Sequence, residues 1–138
     1  MKHTIDLAWK ENMTFEADMD GHRLILDAGA DSGGNDRGPR PKKLMLAALA
    51  GCTGMDVINI LKKMKMEPEA FNVIVEGDVA DDHPKKYTRM KIIYQFKGKN
   101  LSIEKLQKAI DLSHEKYCGV SAVYRDAMGI DSEIRIIE

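Results

Sequence analysis

Apolar and polar positions alternate weakly over residues 3–9 (HTIDLAW), which reads as a strand. The alternation is cleaner in MTFEADM, where Met13, Phe15, Ala17 and Met19 fall on one face. Gly21 turns the chain, and a third strand runs from His22 to Asp27 with Leu24 and Leu26 in register. Together these predict an antiparallel meander. The next segment, GADSGGNDRGPRP (residues 29–41), is too rich in Gly, Asp and Pro for a regular element. Its spacing fits neither a Walker loop nor a dinucleotide fingerprint, so it reads as a surface loop.

The pattern then changes period. Pro41 suits the first position of a helix, and the helix extends to Met64, roughly 35 Å at about 1.5 Å per residue. Its first half, LMLAALAGC, is apolar on every side, which predicts burial all round, in a core or between subunits. Strands follow at 70–80 and 87–97, joined across DDHPKK as a hairpin. Gly98–Asn100 form a turn. A helix capped by Ser102 or Asn100 runs to Tyr117, with Ile103, Leu106, Ile110 and Leu112 on its buried face. A second helical segment covers Cys118–Ala127 with Gly129 as its cap, and Ile130–Ile137 close the chain as a strand. The order is β-β-β-α-β-β-α-α-β, an α+β class, in one domain spanning 1–138. So apolar a helix in so short a chain predicts a homodimer.

Charge narrows the functional classes. With 21 basic and 22 acidic residues the net charge is −1, without the basic excess that a nucleic-acid binder needs. The apolar run Leu44–Leu61 is interrupted by Thr53, Asp56, Asn59 and two glycines, which predicts a core helix rather than a membrane span. No continuous apolar segment marks a secretory signal near the start. Two cysteines in that context predict a reducing, cytoplasmic setting, where thiols are catalytic, metal-binding or simply buried.

The cysteines are the candidate chemistry. Cys52 is flanked by Gly51 and Gly54, and each glycine costs a helix interior about 1 kcal/mol against alanine. Either close packing or access to the thiol accounts for them. Cys118 lies in EKYCGV, 66 positions further on, so the two form no CxxC motif and only the fold could join them. Redox pairing, inert burial and metal binding all stay open from spacing alone. The metal reading would combine Cys52 with Asp56 and Cys118 with His114, each pair four apart on a helix face. His114 reads more simply as an exposed helix residue, so no metal or other cofactor is called for. Leu49, Met45 and Met55 could line an apolar pocket or belong to the core.

Two segments carry a resemblance. PKKLMLAALAGCTGMDVINIL (Pro41–Leu61) and DLSHEKYCGV (Asp111–Val120) resemble the OsmC/Ohr family of peroxide-detoxifying proteins, most of all its OsmC-like, YhfA-type branch. The resemblance implies a swapped homodimer in which bent antiparallel sheets surround two long buried central helices. It makes Cys52 the peroxidatic and Cys118 the resolving cysteine of a thiol-dependent peroxidase. Its substrates would be organic hydroperoxides and, less efficiently, hydrogen peroxide, and its reductant a dithiol such as a dihydrolipoyl protein. The family pairs its reactive thiolate with an arginine and a glutamate. The glutamate's position, directly after Pro41, holds Lys42 here, and Arg37 and Arg40 in the loop ahead of the helix are the arginine candidates. A buried thiol is slow unless a cation favours its thiolate, and a guanidinium keeps its charge under burial. The alternative within the family is a non-catalytic dimer that senses redox state or binds a small molecule.

Overall fold

The computed structural model describes all residues, Met1–Glu138, and divides into two compact units, Met1–Met45 and Leu46–Glu138.

The first unit is the expected meander, with β1 (Ala8–Glu11), β2 (Thr14–Met19) and β3 (His22–Leu26) in that order, all antiparallel. β1 begins later than residue 3 because ladder pairing starts only at Ala8, opposite Glu16. Asp20 and Gly21 both adopt positive φ (54° and 82°), the backbone of a two-residue hairpin turn whose twist matches the strands it joins. The face expected to carry Met13, Phe15, Ala17 and Met19 buries only Ala17.

The loop after β3 is more ordered than its composition predicts. Asp27 is 2% exposed and collects the Thr14 hydroxyl (2.9 Å) and the backbone N–H groups of Ala28 (2.7 Å) and Arg37 (3.1 Å). These bonds fold residues 28–37 back over the carboxylate. Gly34 and Gly38 lie so close to the carbonyls of Ala28 and Ile25 that a Cβ would sit 2.1 and 2.2 Å from the oxygens. The glycines are therefore required by close packing rather than by flexibility.

Pro41–Lys43 form one tight 3₁₀ turn, and α1 continues from Leu44 to Lys63. In the second unit β4 (Ala70–Val79), β5 (Tyr87–Lys97) and β6 (Gly129–Ile136) form a sheet with β5 central, antiparallel to β4 and parallel to β6. A central strand is covered on both sides, and β5 buries Tyr87, Met90, Ile92, Ile93, Tyr94 and Phe96. Between β5 and β6 come α2 (Ile103–Leu112), a π turn (Ser113–Tyr117) and α3 (Gly119–Arg125). Ser102 caps α2 by accepting the Lys105 N–H. The buried face of α2 is Leu106, Ala109 and Ile110, and Ile103 is exposed. Gly129 opens β6 rather than capping α3, whose last carbonyls already receive the N–H groups of Asp126, Ala127 and Met128.

Leu49, Val57 and Leu61 of α1 pack with the β5 side chains and with Leu106, Ala109 and Ile110 in one core. Within the single chain α1 is not buried all round. Only Leu49, Thr53, Val57 and Leu61 are covered, one stripe at a spacing of four, and Met55 is 73% exposed. The segment Pro41–Lys63 also has the length and mean hydropathy (1.8) of a membrane span, with 28% of its apolar window buried.

Candidate functional site: a paired thiol beside a buried hydroxyl chain

Helix α1 presents Cys52 beside its buried stripe and Asp56 one turn further on, so both project toward the same place. Cys118 arrives from the other end of the second unit. The π turn closes with the Cys118 N–H on the Ser113 carbonyl (2.7 Å), and Cys118 leaves helical geometry at ψ 99°. It then caps α3, its Sγ accepting the Ser121 N–H at 3.3 Å. The Cys52 and Cys118 sulfurs and an Asp56 carboxylate oxygen all lie within 4.8 Å of one another. Both thiols are free. Cys118 is 3% exposed and Cys52 is half-buried.

Burial pushes the Cys52 thiol up from its ordinary value, and the neighbouring Cys118 thiol and the Asp56 charge push in the same direction. The Val120 N–H, at the start of α3, hydrogen-bonds the Cys52 sulfur and works against them. Taken within this unit, the surroundings favour the protonated thiol.

A second feature is a chain of buried hydroxyls. The Ser113 hydroxyl donates to Asp56 Oδ2 at 3.0 Å. Ser113 Oγ lies 2.9 Å from Thr53 Oγ1, Thr53 Oγ1 2.7 Å from the Tyr94 hydroxyl, and that hydroxyl 3.1 Å from His114 Nε2. Each hydroxyl has one proton, and a carboxylate can only accept. Once Ser113 donates to Asp56, Ser113 must accept from Thr53, Thr53 from Tyr94 and Tyr94 from a protonated His114 Nε2. Thr53, Ser113 and Tyr94 are fully buried, and no buried side-chain polar atom is left unpaired. Burial pushes Tyr94 up to about 12. It pushes His114 down, with the Arg125 charge adding to the effect.

The structure thus brings Cys52 and Cys118 together and adds Asp56. His114 is part-buried rather than exposed and turns Nε2 to Tyr94, so the four-donor metal set does not assemble. Gly54 is a packing position, since a Cβ there would lie 3.3 Å from Val73, whereas Gly51 faces open space. Leu49 is core. The arginine candidates belong to the first unit. There Arg40 pairs with Asp36 (2.5 Å) and Arg37 with Glu11 (3.5 Å), and Arg40 borders a cleft of about 630 Å³ lined by Leu7, Met13, Phe15 and Leu26. The hydroxyl chain was missed in the sequence. Its only signal there is Thr53 and Asp56, polar residues three apart in an otherwise apolar helix.

Residues 33–133, most of the chain, match the family model described as OsmC-like protein. The chain belongs to the OsmC-like family. Among its relatives, protein YhfA of Escherichia coli K12 is 27% identical over 130 residues, covering 94% of each chain. A hypothetical protein from Aquifex aeolicus VF5 superposes over the whole of both chains with a TM-score of 0.83 and 28% identity. An organic hydroperoxide resistance protein from Elizabethkingia anophelis covers 99% of each chain with a TM-score of 0.72 at 18% identity, a likeness of fold. The OsmC-like resemblance seen in Pro41–Leu61 and Asp111–Val120 therefore extends over nearly the full length, and the α+β class it implies is observed, with the correction that β6 joins β5 in parallel, so the second sheet is mixed rather than antiparallel.

Proposed function

We propose that the protein is a thiol-dependent peroxidase that reduces organic hydroperoxides, and hydrogen peroxide less readily, with Cys52 as attacking and Cys118 as resolving thiol. The observation that carries this reading is the meeting of two sulfurs 66 positions apart, one of them next to Gly51, which faces open space. The fold is shared with proteins named for organic hydroperoxide resistance.

In this mechanism the Cys52 thiolate attacks one peroxide oxygen, the O–O bond breaks, and the alcohol leaves after taking a proton. Cys52 is then a sulfenic acid. The Cys118 sulfur displaces its hydroxyl as water and closes a disulfide, which protects Cys52 from further oxidation. An external dithiol, a dihydrolipoyl protein being the proposed one, returns both thiols and is itself oxidised to a disulfide. Arg40 and Arg37 are the proposed sources of the positive charge that the Cys52 thiolate needs. The working form is proposed to be a cytoplasmic homodimer, without cofactor, nucleic acid or membrane. The uncovered face of α1 around Met55 supports a second copy.

Two observations favour a second reading, a redox-sensing or ligand-binding dimer without turnover. Cys52 is biased toward the thiol, and Lys42 stands where the family has an acid. Consumption of cumene hydroperoxide with dihydrolipoamide or dithiothreitol separates the two. Turnover is expected, abolished in Cys52→Ser. Cys118→Ser should permit one turnover and then overoxidise. If no peroxide is consumed with any dithiol, the peroxidase reading falls.

A further inference from the structure

Disulfide closure requires the Cys118 proton to leave its sulfur and reach the departing hydroxide of the Cys52 sulfenic acid. Cys118 is buried and sits in the cap of α3, so its thiol has no direct path to solvent. The groups around it are poor bases. Tyr94 and Tyr124 are both pushed toward their protonated forms by burial, and Ser113, Thr53 and Ser121 are neutral hydroxyls. Cys52 is the sulfur under attack. The remaining group within 4.8 Å is the Asp56 carboxylate.

Asp56 has a second property that a proton acceptor needs. One oxygen is held by the Ser113 hydroxyl, the end of a chain whose orientation is set link by link through Thr53, Tyr94 and His114. The residue also borders a groove of about 410 Å³, open to solvent and shared with Asn59, Lys63, Lys108 and Tyr117. It therefore stands between the buried Cys118 sulfur and water. On an apolar helix face such a carboxylate is costly unless it is paired or used.

We propose that Asp56 takes the Cys118 proton as the Cys52–Cys118 disulfide closes and passes it to the departing hydroxide, beside the groove along α1 and α2. The assignment rests on the pair being a redox couple and goes beyond the peroxidase reading by naming the base. The Cys118 S–H bond breaks with its proton on Asp56, and the sulfur's electron pair forms the S–S bond. The hydroxide of the Cys52 sulfenic acid takes that proton from Asp56 and departs as water, which returns Asp56 to its carboxylate. The reverse transfer, from Asp56 to the departing Cys118 thiolate, accompanies reduction. Asp56 also opposes thiolate formation at Cys52, so its two effects have opposite signs on the two steps.

That opposition supplies the test, and it needs no peroxide. Dithiodipyridine added to the reduced full-length protein should release pyridinethione in two phases. In the first, Cys52 forms a mixed disulfide. In the second, Cys118 attacks the Cys52 sulfur and expels the second thione. Asp56→Asn keeps the shape and an acceptor for Ser113. It should leave the first phase no slower and slow the second roughly 100-fold near neutral pH, the scale of a lost general base. The deficit should shrink as pH rises, because hydroxide replaces the missing base. A second phase unchanged by the substitution, or slowed by the same factor at every pH, overturns the assignment. Should Asp56→Asn fold poorly, the unaltered protein still decides. A solvent deuterium isotope effect confined to the second phase supports the transfer, and its absence overturns it. Failure to consume peroxides strikes only the peroxidase reading, since both phases remain measurable.

Discussion

Thr53 on α1 and Tyr94 on β5 meet through their hydroxyls at 2.7 Å, both wholly buried, and so pin the long helix to the central strand by a polar contact inside an apolar core. Tyr94→Phe removes the middle of the hydroxyl chain while keeping the ring. Thr53 retains Ser113, but His114 Nε2 loses its partner. Buried hydrogen bonds contribute about 1 kcal/mol each, so a loss of about 1–2 kcal/mol is expected in urea unfolding. A variant as stable as the parent would show that the chain contributes nothing to stability.

The hydroxyl chain also marks where sequence reading stops. The periodicities of β2, β4, β5 and α1 are local, and each element lies within a few residues of its expected position. Ser102 was legible as a cap for the same reason. The meeting of Thr53, Tyr94 and Ser113 joins three elements across 60 positions, and no local pattern encodes it. The cysteine pair was legible only through family resemblance, because spacing alone gave it no geometry. The loop 29–41 was legible as a surface loop but its internal packing was not, because glycine counts the same whether it is flexible or tightly packed. Gly34 and Gly38 are packed against backbone, and the anchor, Asp27, reads in sequence as an ordinary strand-end acid. Of the burial expected of α1, in a core or between subunits, one chain provides a single stripe, because it supplies neighbours on that side alone.

Stability should fall with acid in two separate windows. For His114 the folded value is depressed, chiefly by burial and then by Arg125, so the unfolded chain binds the proton first. Its effect therefore appears as pH drops through the ordinary histidine range. For Asp27 burial alone would raise the value, but the donors from Arg37, Thr14, Ala28 and Asn35 outweigh it and the carboxyl is lowered. Its stabilisation is present above the ordinary aspartate value and is lost as pH falls through the lower folded one. Urea midpoints across pH should show both steps. His114→Gln should erase the upper one, and Asp27→Asn should diminish the lower one, to which Glu16 and Glu133, held low by Arg23 and by Arg135 with Lys91, also contribute. Unaltered profiles in both variants would refute these assignments.

The two glycines beside Cys52 should respond oppositely to alanine. At Gly51 a new Cβ meets nothing, so helix propensity alone acts and the isolated chain gains about 1 kcal/mol. At Gly54 it lies 3.3 Å from Val73, and β4 must yield by a few tenths of an ångström. The propensity gain is then offset, and little or no net stabilisation is expected. Thermal denaturation of both variants tests the stability difference. Iodoacetamide labelling tests access: Gly51→Ala should slow alkylation of Cys52, and an unchanged rate would mean that the thiol is reached from another side.

Met55 gives the most direct test of assembly. It is 73% exposed on a helix whose other face holds the core, and burying an apolar side chain of this size is worth about 1.5–3 kcal/mol. In a two-fold dimer the same residue occurs on both sides, so one substitution acts twice. Met55→Lys places a charge in each half of the proposed interface without touching Leu49, Thr53, Val57 or Leu61. Light scattering should report a dimer for the parent chain and a monomer, or a sharply weakened dimer, for the variant. Far-UV circular dichroism should stay the same, because the core stripe is intact. A parent that is monomeric at micromolar concentration, or a variant that dimerises as well as the parent, would remove this face of α1 from the interface.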